Sequence, residues 1–128
     1  MKIFVGMTGA SGAIYGLRLI QELDKLPDVE LHLSITPDAY TNISLETQYK
    51  DVSDSNFIRS LSLNSQKTFL HHYKNFAAPV SSGSFKVEKY IICPASMGFV
   101  GRVASGVSSN LIERASDVAL KEFRDLII

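Results

Sequence analysis

The chain has a single cysteine among its 128 residues, Cys93, so no internal disulfide can form and a reducing compartment is expected. It has no charge excess: Lys plus Arg equal Asp plus Glu, and no basic cluster or acidic tail stands out. Nothing therefore supports nucleic-acid binding. No apolar run is long enough to span a bilayer. The opening Met1-Lys2-Ile3-Phe4-Val5 is too short for the apolar core of a secretory leader, so a cytoplasmic protein is expected. The three histidines, His32, His71 and His72, have no zinc-type spacing with Cys93, and no metal is expected. Repeats and low-complexity linkers are missing too. What remains is 45% hydrophobic and 20% charged, enough apolar material for one domain, residues 1–128, with a packed core.

The rest is organised around Val5-Gly6-Met7-Thr8-Gly9-Ala10-Ser11-Gly12-Ala13. The apolar run Ile3-Phe4-Val5 precedes it, and a helical pattern from Ile14 to Ile20 follows. That order reads as strand, tight turn, helix. Small residues let backbone approach a ligand, and a helix start offers free N–H groups and a positive dipole end. The glycines fit neither a G-x-G-x-x-G fingerprint nor a P-loop. Two readings stay open: an anion or nucleotide site at the first strand-to-helix turn, or a bare turn with Ser11 capping the helix.

Residues 2–7 read as a buried strand and 12–26 as a helix, with Ile14, Leu17, Ile20 and Leu23 on one stripe. Residues 29–35 alternate in period two, predicting a strand with one wetter face. Thr36-Pro37-Asp38 forms the second strand-to-helix turn, before a helix over 38–47. A short helix near 54–62 leads into an irregular segment, and 81–84 is a loop. Lys89 to Pro94 is a strand, and 97–105 a broken helical region. Asn110 to Glu122 is the clearest helix, with Leu111, Ala115, Val118 and Ala119 inward and Glu113, Arg114, Asp117 and Lys121 outward. Another strand begins at Asp125. Alternating strands and helices imply a three-layer αβα fold on a Rossmann-like parallel sheet. Ligands in such sheets bind at the carboxyl ends of strands, so the turns at 8–11, 36, 82–84 and 94–96 are expected to gather. A terminal strand with nothing to cover it suggests a missing C-terminal part or a covering subunit.

Taken together, several stretches resemble the flavin prenyltransferases, formerly called aromatic-acid decarboxylases, within the flavin-containing cysteine decarboxylase-like group. They are Thr8-Gly9-Ala10-Ser11-Gly12-Ala13-Ile14-Tyr15-Gly16, Leu45-Glu46-Thr47, Ser82-Gly83-Ser84, and Asn110 through Glu122. The resemblance covers nearly the whole chain apart from 51–76. It implies FMN as cofactor and transfer of a dimethylallyl group from dimethylallyl phosphate to reduced FMN. The prenylated FMN would then serve a partner decarboxylase, in ubiquinone synthesis or aromatic-acid breakdown.

By the same resemblance, Thr8, Gly9, Ala10, Ser11, Thr36, Ser96, Met97 and Arg114 would bind FMN. Ser11 would lie near the reactive edge of the flavin, and Thr36 near its phosphate. Glu46 would exchange a proton with the leaving phosphate, so Glu46 and Ser11 are the catalytic candidates. Ser82 and Gly83 would flank the prenyl chain, while Arg114 and Lys121 hold the substrate phosphate. Phe76 falls roughly where some members place an aromatic ring. A homo-oligomer, trimer or dodecamer, with FMN between subunits is implied as well.

The residue types suit that chemistry. Charge builds on a phosphate as its C–O bond breaks, and Arg and Lys can take it. Departures from the family pattern are Ala95 and Phe99, where Cys and Thr are usual, Pro37 for a common Lys, and Phe123 and Asp125 near the end. Members of the family continue for about another third of their length, so the chain is expected to lack the C-terminal part. Competing readings are an FMN-dependent cysteine-type decarboxylase and a truncated, non-catalytic FMN-binding protein.

Overall fold

The structure, a computed structural model, describes residues 1–128. Strands β1 (Lys2–Met7), β2 (Glu30–Ile35), β3 (Thr68–Leu70), β4 (Lys89–Ile92) and β5 (Asp125–Ile127) form one sheet in the order β3-β2-β1-β4-β5. Every pairing is parallel. The helices are α1 (Ala13–Lys25), α2 (Pro37–Glu46), α3 (Phe57–Ser60), α4 (Met97–Ala104) and α5 (Leu111–Lys121). The expected three-layer αβα arrangement is present.

β1 is central because its run of apolar side chains feeds both faces. Ile3, Val5 and Met7 pack with Leu31, Leu33 and Ile35 of β2 beneath α1, α2 and α3. Phe4 packs with Tyr90, Ile92 and the Leu111, Ala115 and Val118 stripe of α5 on the other face. Right-handed crossovers force this division. The chain first winds outward from β1 to β3, then returns to β4 on the far side of β1. Helices of the two legs therefore land on opposite faces, and the loops after β1 and β4 part, opening a crevice between them.

Gly16 lets α1 lie close to this crevice. A Cβ there would sit 2.3 Å from the Cys93 carbonyl oxygen, which is backbone and cannot step aside. Gly6 is similar: its Cβ would meet the Ile112 side chain at 2.6 Å, so α5 packs directly on β1.

Several expectations need correction. The stripe of α1 is Ala13, Gly16, Leu17 and Ile20, while Ile14 is exposed. β2 has no wet face: His32 and Ser34 are buried, and Phe85 meets the His32 ring edge-on at 4.9 Å. β3 lies inside the segment read as irregular, because three residues are too few to show a period. Residues 97–104 form an unbroken helix. Glu113 points inward and is fully buried.

His32 and His71 form a pair at the β2–β3 edge. His32 Nδ1 lies 2.9 Å from His71 Nε2, and His32 Nε2 lies 2.8 Å from the Glu30 carboxylate. The two imidazoles stack with centroids 5.2 Å apart, and Phe69 and Phe85 also meet the His32 ring. Burial pushes the His32 pKa down, against the pull of Glu30; nearby Lys2 pushes it further down. Burial and the His32 neighbour push His71 down to about 4.

Two outcomes follow. Gly16→Ala should destabilise the fold by about 1–3 kcal/mol, as overpacking does, read as a lower urea midpoint. Because both histidines are harder to protonate folded than unfolded, the unfolded chain takes up more protons below about pH 6.5, and stability should fall as pH drops from there towards 5. Replacing His71 by Gln should flatten that part of the urea-midpoint profile.

Candidate functional site

The first strand-to-helix turn is tied to the turn after β4 through Thr8. Thr8 is buried; its Oγ1 donates to the Pro94 carbonyl at 3.0 Å and accepts from Ser96 N–H at 2.7 Å. The Thr8 N–H donates to the same carbonyl at 3.0 Å. The turns after β1 and β4 are thus tied together. Gly9 carries the next contact, since a Cβ there would lie 2.4 Å from Asp38 Cβ at the start of α2.

Ser11 does not cap α1. The cap position is Gly12, with φ 97°, a left-handed conformation that favours glycine. The capping acceptor comes from far along the chain instead: Glu46 Oε2, at the end of α2, takes the N–H groups of Gly12 and Ala13 at 2.9 Å each. Its carboxylate at the positive end of α1 is favourable. Both ends of α2 therefore touch the β1–α1 loop, Asp38 at Gly9 and Glu46 at Gly12. Glu46 Oε1 and the Ser11 hydroxyl meet no partner in the chain, and both residues are exposed.

Between these turns lies a cleft of about 300 Å³, lined by Thr8, Gly9, Thr36, Asp38, Ser96, Arg102 and Asn110, with Pro37, Tyr73 and Lys74 completing the wall. Three helices begin at it. Thr36 Oγ1 caps α2 through Ala39 N–H at 3.2 Å, Ser96 Oγ caps α4 through Phe99 N–H at 3.1 Å, and Asn110 Oδ1 caps α5 through Glu113 N–H at 2.9 Å. The N–H groups of Asp38, Met97 and Gly98 have no protein acceptor. Free N–H groups, aligned dipoles and two cations suit an anion such as a phosphate.

The buried Glu113 holds Arg102, on the wall of the cleft, from behind. Its Oε1 accepts from Arg102 Nε at 2.5 Å, and its Oε2 accepts from the Ser109 N–H and hydroxyl at 2.6 Å each. Burial pushes the Glu113 carboxyl up, but the hydrogen bonds from Ser109 and Arg102 outweigh it and hold the group below its ordinary value. Lys74 Nζ donates to the Ser109 carbonyl at 3.0 Å, and the Tyr73 carbonyl accepts from Leu111 N–H at 2.7 Å. These contacts bind the 72–75 loop to the start of α5.

Of the expected flavin residues, the structure brings Thr8, Gly9, Thr36 and Ser96 together around this cleft. Ala10, Ser11 and Met97 stand at its margin without lining it, and Met97 is 79% exposed. The other residues lie elsewhere. The 82–84 turn precedes β4 instead of following it, so it sits at the amino ends of the strands, away from the other three turns. There Arg124 Nη2 donates to the Gly83 carbonyl at 2.6 Å, and a Cβ on Gly83 would meet the Glu122 carboxylate. The Ser82 hydroxyl bonds only Ser84, whose hydroxyl lies at 2.9 Å. Lys121, at the far end of α5, pairs with Glu122 at 3.2 Å and lies about 16 Å along the helix from Asn110. Arg114, midway, donates to the Ser81 carbonyl at 3.2 Å and pairs with Asp117 at 3.4 Å. Phe76 is 46% exposed and lines no part of the cleft. The expectation that all four turns share one cleft therefore holds for three.

Arg102, Asn110, Lys74 and Glu113 escaped sequence reasoning. Asn110-x-x-Glu113 has capping-box spacing, which marks the helix start but not the cleft. Nothing in the sequence pairs Arg102 with Glu113, eleven residues on.

Comparison with known proteins shows the family and the fold. The model of the flavoprotein family matches residues 1–128. A probable UbiX-like flavin prenyltransferase of Escherichia coli O157:H7 is 40% identical over 130 residues, covering 100% of this chain and 60% of that protein. Among solved structures, a dodecameric FMN-dependent UbiX-like decarboxylase from the same organism superposes with a TM-score of 0.86 at 40% identity, over 98% of this chain and 63% of that one. AnUbiX (PadA1), solved with FMN and dimethylallyl pyrophosphate, gives 0.84 at 40% identity, over 98% and 61%. The chain thus spans about 60% of the length of the curated relative described.

Thr8→Val keeps the shape but strips an acceptor from the Ser96 N–H and a donor from the Pro94 carbonyl. It should cost about 1–3 kcal/mol, measured by chemical denaturation.

Proposed function

The chain belongs to the flavoprotein family, and from that membership we propose that it binds FMN and serves flavin prenyl transfer. One observation carries the reading: a polar cleft at the carboxyl ends of β1, β2 and β4, where three helices begin and the Asp38 N–H remains unpartnered, with those of Met97 and Gly98 next to its Ser96 wall. Its volume, about 300 Å³, is at the small end for ligand pockets, room for the phosphate end of such a cofactor rather than all of it. Thr36 and Ser96 border that end. Ser11, exposed at the margin with an unengaged hydroxyl, is available to the ring.

When bound and reduced, FMN supplies the electron-rich ring that takes the allyl group. The chain's own residues bind, orient and move a proton. Charge accumulates on the phosphate of dimethylallyl phosphate as its C–O bond breaks, and a proton placed on that phosphate eases departure. Glu46 is the candidate for that exchange. Its Oε2 is fixed by the Gly12 and Ala13 N–H groups, while Oε1 is open to solvent and substrate.

Arg114, Lys121, Ser82 and Gly83 reach no part of the cleft within one chain. Their proposed role at the prenyl phosphate requires a homo-oligomer, trimer or dodecamer, in which a neighbouring copy presents them. The dodecameric assembly of the UbiX-like relative supports this. In the same reading residues 1–128 are one flavoprotein domain, and its product would pass to a partner decarboxylase. Its location would be cytoplasmic; no helix is long and apolar enough to cross a membrane.

Anaerobic mixing with reduced FMN and dimethylallyl phosphate should change the flavin absorption spectrum. Glu46→Gln should slow that change by about a hundredfold or more, the usual contribution of a proton-transfer group. FMN bound with an unchanged spectrum would overturn prenyl transfer and leave a flavin binder.

A further inference from the structure

We propose that Arg102 is the side chain that grips the ligand's phosphate in the cleft, and that the buried Glu113 is the positioning residue that holds it there. The inference rests on the cleft being a phosphate site, and it names the group that selects a phosphate monoester over its uncharged counterpart.

Arg102 is one turn beyond Gly98 on α4, and helical side chains lean back towards the helix start. The guanidinium accordingly lies against the first turn of α4. A Cβ on Gly98 would come within 3.0 Å of Arg102 Nη1, so the absent side chain makes the space the guanidinium uses. This places Nη1 beside Gly98 in the first turn of α4, with Arg102 itself on the wall of the cleft.

Glu113 sets the orientation. Its side chain is 0% exposed, whereas that of Arg102 is 46% exposed. Leaving such a carboxylate without partners would be costly, so three donors converge on it: Arg102 Nε, Ser109 N–H and Ser109 Oγ. Two of them come from Ser109, so the Arg102 charge is only partly engaged. A guanidinium has five N–H donors, and Glu113 takes the one on Nε. The four on Nη1 and Nη2 meet no acceptor in the chain. A free Arg would lose rotamer entropy when it closed on a ligand; here much of that cost is already met in folding. The open edge retains a planar pair of donors of the kind that matches a phosphate bidentately.

The other charges nearby fit this assignment. Lys74 Nζ faces the cleft but is bonded to the Ser109 carbonyl, so it supplies field more than grip. Asp38, in the first turn of α2, brings a negative charge to the opposite wall. Arg102 is therefore the cation with both free donors and a fixed direction.

The test compares FMN with riboflavin, which lacks the phosphate, by flavin fluorescence titration of the full chain. The unsubstituted chain should prefer FMN. Arg102→Gln should weaken FMN binding about tenfold or more and leave riboflavin unchanged, and Arg102→Lys should recover part of the loss through charge without the fork. Glu113→Gln should weaken FMN selectively too. Should that buried substitution prevent folding, Ser109→Ala removes one hydrogen bond to the carboxylate and should lower FMN affinity a few-fold, again sparing riboflavin. Undiminished preference for FMN in Arg102→Gln, or equal losses for both flavins, would overturn the role of Arg102 alone. No preference for FMN in the unsubstituted chain would overturn the phosphate reading of the cleft, and this inference with it.

Discussion

The Thr8 hydroxyl stands where the sheet changes direction, and both halves of the cleft depend on it. β1 leads outward to β2 and β3, β4 leads the other way, and beyond the strand ends one backbone bond, from the Thr8 N–H to the Pro94 carbonyl, joins the two loops. The Thr8 side chain reinforces that link, donating to the Pro94 carbonyl and accepting from the Ser96 N–H. The Ser96 N–H finds its acceptor in that hydroxyl, and the Pro94 carbonyl takes a second donor from it besides the Thr8 N–H. With the two loops locked, the starts of α2 and α4 face a common space.

Close approach does the remaining positioning. Gly9 against Asp38 brings α2 to the β1–α1 loop, and Gly16 against the Cys93 carbonyl brings α1 to the end of β4. Glu46 completes the loop by holding the first N–H groups of α1 from the far end of α2. The cap that a local Ser could have provided is thus long-range. It ties the folding of α2 to that of α1, and leaves Ser11 free at the rim.

The charge pattern of the cleft follows from one buried carboxylate. Glu113 lies inside because α5 needs its start capped by Asn110 and sealed by the 72–75 loop, and that geometry turns the Glu113 side chain inward beneath Ser109. Once there, it needs donors, and Arg102 of α4 is drawn over to it. The ion pair joins α4 to α5 on one side of the cleft, while Thr8 joins the β1 and β4 loops on the other. The amino-end rim, with Ser82, Gly83, Lys121 and Arg124, is a separate polar surface on the same chain.

What the sequence determined by itself was local and periodic. The run before Gly6, the alternation of β2, the stripe of α5 and the turn residues at Thr36 and Ser96 were enough for a parallel αβα fold with its ligand end at the first turns, since apolar period and turn chemistry are written in neighbouring residues. β3 was too short to show a period, and the burial of His32 and Ser34 depended on Phe85 and α5 arriving from later in the chain. Whether the 82–84 turn faced the cleft depended on which end of β4 it joined. The partners of Glu113, Arg102 and Glu46 were decided only by tertiary structure, because a side chain's charge is visible in the sequence but the group that answers it is chosen by how the helices cross the sheet.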